Sequence, residues 1–312
     1  APAVTGTPPA NVTVEELAKG IWLLAGQSHH SVLVEFSDHA RLFEAPQNEV
    51  RALAVIAKAR SHQRLDINDV AALLQVTSPA IREEIHIAAR EEKQRIYGNR
   101  LVFFAPMSLT NRCVNNCLYC SFRRENDTLV RATLTQDEIR REVEFLLDQG
   151  HKRLLLVAGE HPKEAPLDYI GESIATVYAT RRGDANIRRV NLNAAPMTLD
   201  EFRTLKSFGI GTYQCFQETY HRETYAHVHP SGRKRDYDWR ITAMDRAIEA
   251  GIDDVGIGIL FGLYDYRFEV LAMMQHIFHL EATFDGDSAQ THSPRNRSWL
   301  DGVKQFWDRV TS

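Results

Sequence analysis

LVFFAPMSLTNRCVNNCLYCSF, residues 101–122, decides how the rest of this 312-residue chain is read. Its apolar opening ends at Pro106 and predicts a strand over 101–106. The loop that follows packs Cys113, Cys117 and Cys120 into eight positions, while the fourth and last cysteine, Cys215, lies far downstream. Four cysteines in a chain of this length do not make a disulfide framework, and three at this spacing suit a shared soft metal centre. A reducing compartment follows, so a cytoplasmic protein is expected.

Two metal chemistries accept three clustered thiolates. A closed zinc site takes four ligands, usually as two separated pairs, and the sequence offers no second pair. A four-iron cluster held by three cysteines keeps one iron open for a small chelating ligand. A zinc knuckle, or three unrelated buried thiols, is the plainer alternative.

Outward from the loop, strands alternate with helices. RLLLVAGE (153–160), RRVNLNA (188–194), TYQCFQE (212–218) and DDVGIGILFG (253–262) are short apolar runs suited to strands buried on both faces. Thr135 and Glu138 have the spacing of a capping box before an apolar stripe through Ile139, Val143, Leu146 and Leu147, and Gly150 closes that helix. Thr198 and Glu201 repeat the device, and a further helix is predicted from about Trp239 to Gly251. Ahead of the first strand, 66–75 and 78–98 read as two helices that cover or plug the sheet, the second with Pro79 in its first turn. The fold class is therefore α/β with a curled parallel sheet.

The ends differ in texture. GIWLLAG and SVLVEFSDHARLFEA read as antiparallel hairpin strands, giving an N-terminal β-hairpin appendage over 1–62. Residues 283–312 read as a short tail, polar at first and then one amphipathic helix through Trp299, Val303, Phe306 and Trp307. The composition, 44% apolar and 25% charged with a formal charge of −4, gives no sign of a nucleic-acid or membrane partner. The opening APAVTGTPPANVT has no charged-then-apolar leader.

Cys-x3-Cys-x2-Cys with Tyr119 before the last cysteine resembles the radical S-adenosylmethionine (radical SAM) superfamily. FFAPMSLTNRCVNNCLYC, GHKRLLLVAGEHPKE, IRRVNLNAAPMT, GIGTYQCFQETYHRETYAHVHPSG and DYDWRITAMDRAIEAGIDDVGIGILFGLYDYRFEVL are similar to the HydG-type tyrosine lyases of iron–iron hydrogenase maturation, relatives of 2-iminoacetate synthase. The likeness runs over residues 63–282. It implies a partial (βα) TIM-type barrel of five or six parallel strands and a [4Fe-4S] cluster on Cys113, Cys117 and Cys120. The open iron would chelate S-adenosyl-L-methionine, and an electron donor such as flavodoxin or ferredoxin would drive its cleavage. The implied reaction abstracts hydrogen from L-tyrosine and breaks Cα–Cβ to give p-cresol and dehydroglycine. Another small substrate, or a cluster-binding fusion without turnover, is the alternative.

By position in the motifs, the resemblance assigns Ala158, Gly159 and Glu160 to the amino group of S-adenosyl-L-methionine, and Gln217 and Glu218 to polar contacts with cofactor and substrate. Arg240 becomes a partner for the methionine carboxylate, against the plainer reading of a surface ion pair. Asn191 and Asn193, alternate on one strand, are candidates to line the pocket. Gly256, Gly258 and Gly262 suit either close approach of an adenine or tight packing. Cys215 reads as a core thiol, and His161, His221, His227 and His229 as locally bonded rather than ligands. No cysteine follows Cys215, so the carbon monoxide and cyanide step of the lyase family is not expected. Residues 12–60 resemble the opening of a metallo-β-lactamase-fold hydrolase, short of its metal loop.

Overall fold

The computed structural model describes residues 12–18, 21–26, 30–35, 40–45 and 49–284, with side chains from 51 to 284. These fall into two compact units, one of the described residues up to Leu101 with Asp265–His279, the other of Val102–Tyr264 with the described residues from Leu280 onward.

In the first unit, β1 (Val12–Ala18), β2 (Ile21–Gly26), β3 (His30–Glu35) and β4 (Ala40–Ala45) form an antiparallel sheet in sequence order. The expected hairpin is thus extended: the stretch 31–45 divides into two paired strands, and 12–18 adds another. The helices are α1 (Glu49–Arg60), α2 (Ile67–Leu74) and α3 (Pro79–Tyr97). Asp66 caps α2 by accepting from the N–H groups of Asn68 and Asp69, and the Asp69 carboxylate returns the bond to Asp66 N–H at 3.1 Å. Lys58 Nζ sits 2.5 Å from that carboxylate and helps hold it below the usual range against the opposing effect of burial. Ala52, Ile56 and Ile81 make a small core between α1 and α3.

The second unit runs β5 (Ala105–Thr110), α4 (Gln136–Asp148), β6 (Arg153–Ala158), α5 (Leu167–Ala179), a two-stranded clip of β7 (Arg181–Arg182) and β8 (Ala185–Asn186), then β9 (Arg189–Asn193) and α6 (Leu199–Ser207). It continues through β10 (Tyr213–Gln214), α7 (Arg222–Val228), α8 (Tyr237–Ile241), α9 (Ala243–Glu249) and β11 (Val255–Gly256). The last helix, α10 (Tyr266–Phe284), counts with the first unit as far as His279 and with the second from Leu280. Five strands pair in the order β5, β6, β9, β10, β11, and all four pairings are parallel. Each new strand is laid on the same side of the last, so the sheet winds in one direction, as in a (βα) barrel, rather than reversing as in a doubly wound sheet.

Alternation along the strands separates two faces. Ala105, Met107, Leu109, Leu154, Leu156, Val190 and Leu192 are buried against Ile139, Val143, Ile170, Ile174, Phe202 and Leu205 of the helices. The residues between them on β6 and β9, including Leu155, Val157, Asn191 and Asn193, are half-buried on the opposite, inner face. Capping boxes at Thr135 and Thr198 start α4 and α6 as expected, each with the threonine N–H to glutamate contact at 2.7 Å.

Three expectations need correction. The first strand occupies 105–110 rather than 101–106, because Leu101, Val102, Phe103 and Phe104 are exposed, and burial instead alternates with Pro106 and Ser108. The strands read over 212–218 and 253–262 each pair regularly for two residues only. The single helix expected from Trp239 to Gly251 breaks at Thr242, whose hydroxyl bonds the Asp238 carbonyl at 2.7 Å and so competes with the helical ladder. The helix expected through Trp299 and Trp307 lies outside the described residues.

Candidate active site

Parallel strands end on one side, so the loops after β5, β6, β10 and β11 share a single mouth. The cysteine loop leaves β5 there, and its shape is set by bonds to main chain. Arg131 donates to the carbonyls of Asn111, Phe122, Arg123 and Asn126 at 2.7, 2.8, 2.5 and 3.0 Å, clasping the loop from one side. On the other, the N–H groups of Val114, Asn116 and Leu118 donate to the carbonyls of Glu160, Ser231 and Val228 at 2.8, 3.2 and 3.0 Å.

All three thiols are free of disulfides. Burial pushes the Cys117 thiol up, the Lys234 cation opposes it, and the neighbouring sulfurs of Cys120 and Cys113 push it further. Cys215 is 5% exposed within the helix-side core beside Tyr213, the core thiol expected. Among the described residues no three His, Cys, Asp or Glu side chains converge on a point fit for one metal ion. A four-iron cubane makes a different demand, since it spreads three cysteines over three irons. Soft thiolate donors around a shared space, with no fourth cysteine at hand, fit that group and not a closed zinc site.

Asn115, buried at 2% exposure, ties the loop to its neighbours. Its Nδ2 donates to Glu160 Oε2 at 2.7 Å, and its Oδ1 accepts from Lys234 N–H at 2.8 Å. Glu160 is thereby aimed, with Arg233 Nε 3.6 Å from its other oxygen. Gly159 has a reason for lacking a side chain beyond the one read from sequence: a Cβ there would lie 2.3 Å from the Arg112 carbonyl oxygen and 3.4 Å from Cys113 Cβ. The glycine lets the end of β6 pass against the root of the cysteine loop, and Ala158 is the last residue of that strand.

Tyr119 donates to His229 Nε2 at 2.7 Å. The direction follows from the other ring nitrogen, 2.8 Å from the Tyr225 carbonyl, which only accepts, so Nδ1 carries the proton. Full burial, with Lys234 and Arg240 adding to it, takes the His229 pKa down to about 3 and keeps the ring neutral. His161 and His221 also bond locally, each to N–H groups at the start of the turn that follows it.

Beyond β10, Glu218 takes a left-handed φ of 72°. Its N–H donates to the Gly258 carbonyl and its carbonyl accepts from Leu260 N–H, at 3.2 and 2.7 Å, so pairing to the fifth strand resumes and holds the strain. Lys234 Nζ lies 2.7 Å from Glu218 Oε1 and also stands over the Tyr119 ring at 5.5 Å. Arg240 is 9% exposed, which rules out the surface ion pair. Its Nε donates to the Phe216 carbonyl at 2.8 Å, and Nη2 lies 4.0 Å from Glu218. Between these groups Gln217 is 3% exposed, and neither its amide oxygen nor its nitrogen has a protein partner.

Of the two asparagines, Asn191 is engaged by Arg189 Nε at 3.3 Å, while Asn193 ends β9 on the inner face. A Cβ at Gly258 would lie 2.8 Å from the Phe216 ring, so this glycine serves packing on the neighbouring strand, while one at Gly256 would press on the Gln214 side chain at 3.0 Å, and Gly262 turns at φ 101° in open space. Sequence reading missed Asn115, Arg131 and Lys234. Asn115 and Lys234 act on partners distant in the chain, Arg131 binds carbonyls 5 to 20 positions back in its own loop, and none stands in a recognisable local pattern.

A parallel half-barrel with a three-cysteine loop after its first strand defines a class, and residues 107–277 match the profile of that class: the chain belongs to the radical SAM superfamily. Members use a [4Fe-4S] cluster and S-adenosylmethionine. Within it, the chain is 31% identical to 2-iminoacetate synthase of Salmonella typhimurium over 274 residues, covering 86% of this chain and 71% of the relative. A crystal structure of HydG, a maturase of the [FeFe]-hydrogenase, shares 50% identity at a TM-score of 0.75, covering 76% of this chain and 52% of that one. HydG from Carboxydothermus hydrogenoformans shares 42% at 0.70, with 76% and 54% covered. The chain therefore spans about half the length of the HydG structures it matches.

Proposed function

We propose that the chain is a radical SAM carbon–carbon lyase that abstracts hydrogen from L-tyrosine and breaks its Cα–Cβ bond to give p-cresol and dehydroglycine. The observation that carries this reading is Gln217. Native proteins pair nearly all buried polar groups, so a buried amide with two unmet atoms, beside Glu218 and Arg240 at the mouth of the strands, calls for a polar ligand. The likeness to 2-iminoacetate synthase and to HydG supplies the choice of substrate.

Cys113, Cys117 and Cys120 would hold the [4Fe-4S] cluster, which with S-adenosylmethionine supplies a hydrogen-abstracting 5′-deoxyadenosyl radical. The protein's own work is placement. Glu160, oriented by Asn115, offers a carboxylate to the amino group. Arg240, its Nε fixed on main chain, presents the rest of its fork to the carboxylate. Tyr119 and His229 stay bonded to each other without exchanging a proton near neutral pH, since burial keeps both neutral. Asn193 and Gln217 offer donors and acceptors to the substrate from the inner side.

The test is anaerobic iron–sulfur reconstitution, then dithionite and S-adenosylmethionine with and without tyrosine. 5′-Deoxyadenosine together with p-cresol is expected. 5′-Deoxyadenosine alone refutes tyrosine as substrate, and a Cys117→Ser variant that still forms it removes the cluster assignment.

A further inference from the structure

Two buried cations share one carboxylate oxygen at this site. Lys234 Nζ lies 2.7 Å and Arg240 Nη2 4.0 Å from Glu218 Oε1, and the side chains of Lys234, Arg240 and Glu218 are 11%, 8% and 14% exposed. The other carboxylates at the cysteine loop have cations of their own, Arg233 at 3.6 Å from Glu160 and Arg112 at 3.7 Å from Glu164. One positive charge is left in excess around Glu218, out of reach of most screening by salt. We infer that Lys234 sets the reduction potential of the cluster the three cysteines would hold, by fixing a buried positive charge on the cysteine loop. The inference rests on the radical SAM reading and adds a residue that acts on the cluster through its charge.

Lys234 is registered to that loop at both ends. Its N–H donates to Asn115 Oδ1 at 2.8 Å, its carbonyl accepts from the Tyr225 hydroxyl at 2.5 Å, and its Nζ stands 5.5 Å from the centre of the Tyr119 ring. Asn115 and Tyr119 flank Cys117 in the sequence. Glu218 and Arg240 are anchored elsewhere, Glu218 on the main chain of Gly258 and Leu260 and Arg240 Nε on the Phe216 carbonyl. The ammonium end of the ion pair thus belongs to the thiols and the carboxylate end to the strands. Cys117 already feels the Lys234 cation, which acts there against burial.

The sign follows from charge. A four-iron core of two positive charges bound by three thiolates is a monoanion, and one electron from a reductant makes it a dianion with no atom exchanged. A fixed cation favours the more negative state, so Lys234 raises the potential and the Glu218 carboxylate lowers it. At an effective dielectric constant of about 20, unit charges about 10 Å apart still shift an equilibrium by roughly tenfold or more.

The test is a redox titration of the reconstituted full chain without S-adenosylmethionine, poised with dithionite and mediators, with the reduced cluster read by electron paramagnetic resonance. At a fixed solution potential the ratio of reduced to oxidised cluster is expected to fall at least about tenfold in Lys234→Met, a shift of about 59 mV for one electron, and to stay within about twofold of the parent in Lys234→Arg. Glu218→Gln should move it the other way. A lysine that only supported the fold would not give shifts of opposite sign from the two halves of one ion pair. Unchanged potentials in Lys234→Met and Glu218→Gln, or shifts of the same sign in both, overturn the inference. Where Lys234→Met takes up no iron, Glu218→Gln decides: a raised potential supports the inference, and an unchanged or lowered one overturns it. A parent chain that loads no four-iron cluster overturns the radical SAM reading itself, and the inference falls with it.

Discussion

Gly232→Ala tests whether the cysteine loop is held by the segment behind it. Gly232 has φ 94° and ψ 179°, a region essentially closed to other residues, and occupying it with a side chain costs about 1–3 kcal/mol. The added Cβ would also lie 2.3 Å from Asn115 Oδ1, 2.6 Å from Asn115 Cα and 2.9 Å from the Val114 carbonyl oxygen. Two of these are main-chain atoms of the cysteine loop and cannot rotate away, so the loop must retreat by about 1 Å to reach ordinary contact. Retreat stretches the Asn115 bonds to Glu160 and Lys234, at about 1 kcal/mol each. The total is about 3–5 kcal/mol, or a fall in melting temperature of about 10 °C for a domain of this size. Gly183→Ala is the control, because Gly183 is left-handed at φ 57° with nothing within 4 Å of its Cβ position, and only the backbone cost of about 1–2 kcal/mol applies. The assays are thermal melting of the metal-free protein and iron content after reconstitution. If Gly232→Ala melts with Gly183→Ala and takes up the same iron, the clamp is refuted.

Other substitutions probe separate links. Gln217→Leu should stabilise the ligand-free protein by about 1–2 kcal/mol while weakening S-adenosylmethionine or substrate binding, read by melting with and without ligand; destabilisation of the free protein would show that the amide is already satisfied. His229 has a folded pKa of about 3, below its ordinary value, so its contribution to stability is complete above about pH 6.5 and is lost as pH falls from there toward 3. His229→Gln should flatten that part of the stability profile in denaturant titrations of the metal-free chain. Thr135→Ala and Thr198→Ala should each cost about 1 kcal/mol, adding in the double variant because the two caps share no partner, as measured by urea unfolding.

What the sequence disclosed was whatever is written locally. Both threonine caps are four-residue devices and were read correctly, as were the strands at 153–158 and 189–193, whose apolar runs are buried in the expected sense. The first strand was displaced because Leu101–Phe104 is as apolar as a strand interior yet faces outward, and hydrophobicity alone does not say which run the sheet uses. The cysteine loop was legible from spacing, whereas its support was not. Tyr119 meets His229 across 110 positions, and Lys234 meets Asn115 across 119, separations that leave no periodic trace. The inner and outer roles of Cys215 and Asn193 depended on which way each strand faced, which the parity of burial settled only once the register was known.

Arg131 and the three main-chain tethers at Val114, Asn116 and Leu118 carry a thermodynamic consequence. Their donors and acceptors are all protein atoms, so the course of residues 111–124 is specified by the chain itself. Removing one tether therefore loosens the stretch that carries Cys113, Cys117 and Cys120 without touching any of the three thiols.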